Sequence, residues 1–140
     1  MDEAERIIAA LHLAPHPEGG WYRQTWVAEG TGRPAGTSIL FLLKAGEQSR
    51  WHRVDAVEIW HFHAGAPLVL SVAETAAGPA RDRILGPDVL AGQAVQGIVP
   101  ADHWQAARST GEWSLVGCTV SPGFRFEGFE LAPPGFDIPR

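Results

Sequence analysis

From about residue 19 onward, the chain alternates short apolar runs with clusters of glycine and proline. The runs are rich in Val, Ile, Leu, Trp and Phe; clear examples are Ser38 to Leu43, Glu58 to Phe62, Leu68 to Val72, Val95 to Val99 and Ser114 to Val120. Runs of this length bounded by turn residues are typical of β-strands. Many such strands at close spacing favour a sandwich or a barrel. The pattern therefore predicts an all-β fold.

Only the first segment has helical periodicity. Ala4, Ile7, Ile8 and Leu11 recur at the spacing of one helix face, and two prolines follow shortly afterwards. We expect one short helix over about residues 3–13.

The length of 140 residues fits one domain, with the barrel over about 19–132 and an irregular tail over 133–140. No apolar run approaches the roughly 20 residues of a membrane helix, and the acidic first residues do not resemble a secretory signal. We expect a cytoplasmic protein. Its single cysteine, Cys118, lies in an apolar stretch and is interpreted as a buried structural residue rather than a nucleophile.

The formal net charge is −5, and ten of the eleven basic residues are arginines scattered singly along the chain. No basic stripe could follow a phosphate backbone, which argues against nucleic acid as a partner. Arginine suits bidentate capture of carboxylate or phosphate groups. An anionic small molecule therefore remains open as a ligand.

One spaced motif resembles the first signature of the cupin superfamily. It comprises Gly46, His52, Glu58 and Gly65, with Val54 where the signature has a second histidine. The resemblance implies a cupin jelly-roll, a double-stranded β-helix barrel. Val99 to Gln105 stands where the second signature is expected. There Asp102 replaces a glycine and Gln105 replaces a histidine.

Longer blocks resemble one family in particular, the uncharacterised small cupins related to sugar-nucleotide epimerase cupins. These blocks are His16 to Arg23, Ser49 to Arg53, Glu58 to Phe62 and Gly117 to Phe124. The resemblance extends from about residue 12 to 131. It implies a polar pocket inside the barrel, whereas the biochemical role of the family is poorly established.

Strand alternation assigns the candidate site residues to faces. Glu58 and Trp60 share one side of their strand, and His61 and His63 share the other. If Glu58 points inward, the two histidines are structural or belong to a subunit contact. His52 and Glu58 can then act as a general acid/base pair, because an imidazole and a carboxylate in a partly apolar barrel shift each other's proton affinity.

A metal site is the alternative for the same residues. Cupin metal sites typically present three histidines and a glutamate, ligands that suit iron, manganese, nickel or zinc. Here the ligands would be His52, Glu58 and either His103 or Gln105, which share a face if their segment is extended. The amide and the missing imidazole would weaken such a site. No cofactor is certain from the residues.

Ligand contacts are expected from aromatic and cationic side chains near the motifs. Tryptophan suits stacking on a sugar or heterocycle, and arginine suits an anionic group. The candidates are Arg23, Trp51, Arg53, Trp60 and Gln105.

The sequence thus predicts a cupin that binds a small, anionic or sugar-like molecule. The leading hypothesis is an isomerase or epimerase-like enzyme on a carbohydrate or nucleotide-sugar ligand, with His52 and Glu58 catalytic. A metal-dependent oxygenase or lyase and a non-catalytic metabolite-binding module remain open. Because small cupins often pair or exchange edge strands, we also expect a homodimer.

Overall fold

The computed structural model describes all 140 residues. It contains one α-helix, α1 (Glu3–Ala10), and eleven strands. The strands are β1 (Ala14–Pro15), β2 (Trp21–Val27), β3 (Thr37–Lys44), β4 (Gln48–Val54), β5 (Val57–Gly65), β6 (Leu68–Ala73), β7 (Arg81–Leu85), β8 (Gln96–Val99), β9 (Trp104–Ser109), β10 (Trp113–Ser121) and β11 (Phe129–Leu131). Two single-turn 3₁₀ helices, Val89–Ala91 and Phe126–Gly128, interrupt the later connections.

The strands form two sheets in which every strand pairing is antiparallel. One sheet has the order β1-β2-β3-β10-β5-β8, and the other has the order β11-β4-β9-β6-β7. Short connections cross between the sheets: only Asp55 and Ala56 separate β4 from β5, which belong to different sheets. The all-β prediction and the jelly-roll architecture are confirmed.

Helix α1 begins where Asp2 accepts a hydrogen bond from the backbone N–H of Glu5 at 2.8 Å. It ends at Ala10, earlier than the periodicity predicts, because His12 adopts a left-handed backbone conformation with φ 56°. Its apolar face packs with Leu13 and Leu42 on the outer side of the six-stranded sheet. No helix of the structure is long and apolar enough to cross a membrane.

The last residues cover the outer side of the five-stranded sheet. No helix or strand follows Leu131. Nevertheless Ile138 is fully buried and packs with Trp51 and Trp104, which lie on β4 and at the start of β9. The tail is therefore irregular in backbone but packed in place.

The main core lies between the sheets and is built by strand alternation. On β5, Trp60 is 1% exposed and packs with Phe41, Leu70 and Val116. The intervening His61 faces outward and contacts the hydroxyl of Thr119 at 3.0 Å. The predicted division of β5 into an inner and an outer face is confirmed. Strands β7 and β8 stand at sheet edges, and the homodimer stays a prediction.

Candidate functional site

A cavity of about 130 Å³ lies between the sheets and adjoins the main core at Cys118. Polar and titratable side chains share its lining with eight hydrophobic ones. The lining residues are His16, Glu18, Tyr22, Gln24, Thr37, Ile39, His52, Val54, Glu58, Cys118, Val120, Phe124, Phe126 and Phe129. No arginine or lysine is among them.

A tight loop between β1 and β2 brings two titratable groups into this cavity. The backbone N–H of His16 donates to Gly20 at 2.9 Å, and that of Arg50 donates to the carbonyl of Glu18 at 2.8 Å. Gly19 and Gly20 adopt φ values of 106° and 78°, and a Cβ at Gly19 would collide with the backbone of Gln48. Glycine is required here, because only a residue without Cβ allows this turn so close to β4.

Glu18, in the middle of this loop, is buried. Its carboxyl accepts a hydrogen bond from the Ser49 hydroxyl and lies 3.4 Å from Nδ1 of His16. Burial raises the pKa of Glu18 to about 8, against the smaller opposing effect of the Ser49 hydrogen bond. Glu18 is therefore mostly a neutral acid near pH 7.

His52 lies on the inner face of β4 and is 1% exposed. Its Nδ1 is 2.7 Å from the carbonyl oxygen of Arg50. A carbonyl can only accept, so Nδ1 carries the proton in the neutral ring and Nε2 is left as a base. Burial lowers the pKa of His52, although the charge of Glu58 and the Arg50 carbonyl oppose this. The ring is neutral near pH 7.

His16 has the opposite tautomer. Its Nδ1 accepts the backbone N–H of Glu18 at 3.1 Å, so the proton of the neutral ring lies on Nε2. Burial, followed by the charge of His52, lowers the pKa of His16 to about 4. In the neutral rings, Nε2 of His16 can therefore donate a hydrogen bond, and Nε2 of His52 can accept one.

Glu58 completes the polar side of the cavity. Its Oε1 accepts a hydrogen bond from the Gln105 amide at 3.0 Å. Burial is the largest effect on Glu58 and raises its pKa to about 7. The charge of His52 and the hydrogen bonds from Gln105 and Cys118 lower this pKa, whereas the charge of Glu18 raises it. Burial likewise raises the pKa of Cys118, which remains a thiol and is buried as the sequence predicted.

Three phenylalanines form an aromatic wall opposite these groups: Phe124, Phe126 and Phe129. Their ring centroids are 5.0 to 6.1 Å apart, in edge-to-face arrangements. Asp55 fixes the segment that carries them, because it forms ion pairs with Arg33 at 2.6 Å and Arg125 at 3.1 Å. The two arginines lower the pKa of Asp55.

Comparison with known proteins identifies the family. The chain matches the Cupin superfamily (DUF985) family over residues 5–132. It is a cupin. A search of curated proteins finds no match. A protein from Shewanella oneidensis is 40% identical, with a TM-score of 0.87 over 94% of this chain and 85% of that one. A hypothetical protein from Leishmania major is 30% identical, also with a TM-score of 0.87, over 96% of this chain and 90% of that one.

More distant cupins share the fold. Oxalate decarboxylase from Bacillus subtilis has a TM-score of 0.66 at 14% identity. The alignment covers 84% of this chain but 29% of the decarboxylase. One structural study of that enzyme concerns its Mn(II) centres. At this identity, the likeness supports the double-stranded β-helix fold alone.

The structure brings together His52 and Glu58 as predicted, but it places Trp51 and Arg53 elsewhere. Both are neighbours of His52 on β4, so alternation turns them to the outer face. The indole N–H of Trp51 donates to Asp137 at 2.9 Å under the C-terminal tail. Arg53 pairs with Glu130 at 2.8 Å, near the protein surface.

Arg23, Trp60 and His103 are not in the cavity lining of this cupin either. The guanidinium of Arg23 donates to the carbonyl of Leu11 at 2.8 Å on the outer side. Trp60 is in the main core. His103 precedes β9 and lies in a separate surface depression, because Asp102 adopts φ 66° and interrupts the extended backbone that would have aligned His103 with Gln105.

A metal centre of the cupin type does not fit these residues. Val54 offers no donor, and Gln105 is engaged at both ends of its amide, by Trp60 at 2.7 Å and by Glu58 at 3.0 Å. No three of the His, Cys, Asp and Glu side chains converge closely enough to hold an ion. The expected ligand set of His52, Glu58 and His103 or Gln105 is therefore not assembled.

Sequence reasoning missed His16 and Glu18 as site residues. They belong to a loop rich in proline and glycine, where no periodicity indicates a buried face. The available indication was chemical: a histidine and a glutamate stand immediately before the glycine pair in a block that resembles the family.

Proposed function

We propose that this cupin catalyses a proton transfer on a small uncharged hydroxycarbonyl compound, as in isomerisation or epimerisation. The observation that carries the proposal is the tautomer of His52. Its Nδ1–H is committed to the Arg50 carbonyl, so Nε2 is a neutral base in a cavity that also holds acids. General acid/base catalysis requires both partners within one water-poor site.

The pKa values of these groups suit such chemistry near neutral pH. Burial brings the pKa of Glu58 to about 7, so a substantial fraction of this carboxyl is protonated at that pH. His52 is unprotonated there because burial lowers its pKa. A carboxylic acid and a free imidazole therefore coexist, as proton transfer next to a carbonyl requires.

The proposed step balances without a cofactor. Nε2 of His52 removes a proton from the carbon next to the carbonyl, and the C–H electron pair forms the enol double bond. Glu58 donates its proton to the carbonyl oxygen, and the Nε2–H of His16 supplies a second hydrogen bond to it. Protonated His52 then gives its proton to the former carbonyl carbon while the Glu58 carboxylate takes the proton of the neighbouring hydroxyl, whose oxygen becomes the carbonyl of the isomer. If the enediol instead turns in the cavity and takes the proton back on the other face of its original carbon, Glu58 regains the enol proton and the product is an epimer.

The cavity restricts the size and charge of the ligand. At about 130 Å³, it is slightly smaller than the ~150 Å³ engineered cavity that holds benzene, so it suits roughly six non-hydrogen atoms. A whole nucleotide sugar is too large to enter. Because the lining has two carboxyls and no cation, an uncharged ligand fits better than the anionic one that the arginines suggested.

The sequence resemblance to sugar-nucleotide epimerase cupins suggests only the reaction class of this proposal, since one fold carries many chemistries. The present geometry favours a smaller substrate, with three or so carbons. A metabolite-binding module without turnover would share the cavity but would not exchange carbon-bound hydrogen.

Deuterium incorporation distinguishes these possibilities. Untagged wild-type protein is incubated in D₂O with dihydroxyacetone, glyceraldehyde or hydroxyacetone, and proton NMR follows loss of the α-hydrogen signal. We expect catalysed exchange that falls about 10²–10⁴-fold in Glu58→Gln and His52→Gln. His63→Gln, on the outer face of the same sheet, is the matched control and should exchange like wild type.

Wild-type protein that exchanges none of the three compounds above the buffer rate would contradict the proposed reaction. Equal rates in wild type and Glu58→Gln would contradict the assignment of the acid. Elemental analysis of the same sample addresses the metal-dependent alternative: one firmly held equivalent of iron, manganese, nickel or zinc, lost in His52→Ala, would favour it.

A further inference from the structure

Three buried side chains form a hydrogen-bonded chain at the boundary between the main core and the cavity. The indole N–H of Trp60 donates to Oε1 of Gln105 at 2.7 Å. The Nε2 of Gln105 donates to Oε1 of Glu58 at 3.0 Å. Trp60 and Gln105 are each 1% exposed, and Glu58 is 7% exposed.

The direction of this chain is fixed by chemistry. An indole N–H can only donate, so the amide oxygen of Gln105 must face Trp60 and the amide nitrogen must face Glu58. Oε1 of Glu58 is thereby used as an acceptor. A carbonyl-type oxygen accepts a hydrogen bond better than the hydroxyl oxygen of a carboxylic acid, so the acid proton belongs on Oε2.

We propose that Gln105, anchored by Trp60, is a positioning residue that holds the Glu58 proton on Oε2, the carboxyl oxygen that Gln105 itself does not engage. This inference rests on the proposed acid role of Glu58. It also specifies the substrate further: the ligand must present a hydrogen-bond acceptor, such as a carbonyl oxygen, to Glu58.

The position of Gln105 supports a role beyond packing. In the register of β4 and β9, it stands directly opposite His52. A leucine there would fill similar space but would leave the buried Trp60 N–H without an acceptor, which carries a desolvation cost. The amide thus connects a core indole to the carboxyl that lies beside the base.

Other groups act on Glu58 and must be accounted for. His52, Glu18 and the Cys118 thiol all influence its proton affinity, and none of them depends on Trp60 for a hydrogen bond. Trp60 also stands opposite Cys118 in the register of β5 and β10 and packs with it in the main core. The double variant of Trp60 and Gln105 therefore decides whether an effect of Trp60 on Glu58 passes through Gln105.

The test is an NMR titration of the Glu58 carboxyl carbon in protein labelled with ¹³C-glutamate. Gln105→Leu removes a donor to the ionised form, so the midpoint should rise by roughly 0.5–1 pH unit. Trp60→Phe frees the amide to turn its oxygen toward the protonated carboxyl, so the midpoint should also rise. The double variant should match Gln105→Leu alone, since Trp60 acts through Gln105.

Trp51→Phe is the matched control. It removes an indole N–H that bonds to Asp137 on the outer face, and it should leave the Glu58 midpoint at the wild-type value. If Trp60→Phe leaves the Glu58 midpoint at the wild-type value, Trp60 does not anchor Gln105. If Gln105→Leu leaves it unchanged, Gln105 does not position the Glu58 proton. Additive shifts in the double variant would also contradict it.

A second measurement needs no variant. In wild-type protein, the Gln105 side-chain amide protons should change chemical shift with the same midpoint as the Glu58 carboxyl. Amide resonances that do not respond to that titration would overturn the proposal even if Trp60→Phe fails to fold. These titrations do not depend on turnover. The role of Gln105 can therefore be supported when deuterium exchange fails, and it can be contradicted when exchange is observed.

Discussion

The two ends of the barrel interior are filled in different ways. At one end, the main core holds Leu68, Leu70 and Leu85, each at most 1% exposed, with Phe41 and Trp60 beside them. At the other end, histidines, carboxyls and the aromatic wall surround the cavity of about 130 Å³. The same two sheets therefore supply stability at one end and a desolvated polar site at the other.

The boundary between these ends explains how the polar groups are tolerated. Burying a charge without a partner is costly, so buried acids and bases become neutral instead. Here every side-chain nitrogen and oxygen that is completely sealed from solvent has a hydrogen-bond partner. Burial of Glu18 and Glu58 raises their pKa, and burial of His16 and His52 lowers theirs. Near pH 7 the site combines acids and bases with little net charge.

The largest effect on stability should come from the packed end. Leu70→Ala removes a fully buried side chain, and we expect the free energy of unfolding to fall by about 2–5 kcal/mol. Ile98→Ala on the edge strand β8 is the control, because Ile98 is 58% exposed. Urea unfolding measures both. A loss at Leu70 no larger than that at Ile98 would show that this end is not the main source of stability.

The next effect concerns the cavity end and depends on pH. Folded Glu58 and Glu18 have pKa values of about 7 and 8, above the unfolded value of 4.5, so the folded state retains protons that the unfolded state loses as pH rises. His16, whose pKa is about 4 instead of 6.5, has the opposite effect between those two values. Above pH 6.5, the carboxyl effect remains alone, and stability should decline.

Between pH 6.5 and 8, we expect a decline on the order of 1 kcal/mol per pH unit for each carboxyl that keeps its proton in the folded state and is ionised in the unfolded state. This decline ends near pH 7 for Glu58 and near pH 8 for Glu18. Glu18→Gln should remove the part of the decline that lies between pH 7 and 8. Urea unfolding at several pH values measures this. A wild-type stability that stays constant over this interval would mean that both carboxyls are already ionised in the folded state.

The fold and the inner and outer faces of β5 could be predicted from the sequence, because both depend on patterns within short segments. Short apolar runs and the glycine-bounded motif predicted the fold, and the alternation of β5 placed Glu58 inside and His61 outside. The same alternation would have excluded Trp51 and Arg53, since both adjoin the inward-facing His52. Proximity in sequence to His52 therefore does not by itself place a side chain in the cavity.

Other features depend on contacts between distant segments. His16 and Glu18 enter the cavity through a glycine turn that packs against β4, and no local pattern encodes that approach. The amide of Gln105 is engaged by Trp60, 45 residues away in sequence. Side-chain type alone could not show that this glutamine is committed to a carboxyl rather than free for a metal.

The smallest effect should arise at the surface that fixes the aromatic wall. Asp55→Asn weakens the pairs with Arg33 and Arg125, which are partly exposed, so the loss of stability should be below about 1 kcal/mol. Arg53→Gln breaks a similar surface pair with Glu130 away from the cavity and serves as the control. Thermal unfolding compares the two. A loss of several kcal/mol at Asp55 would show that the wall contributes to the core.

The most direct test of the contrast between the two ends is the titration of Glu18 and Glu58 in wild-type protein, followed by ¹³C NMR of their carboxyl carbons. We predict that burial holds the pKa of Glu58 at about 7 and that of Glu18 at about 8. If both carboxyls instead titrate below pH 5, they are ionised throughout the neutral range, and the cavity is not the desolvated acid/base site described here.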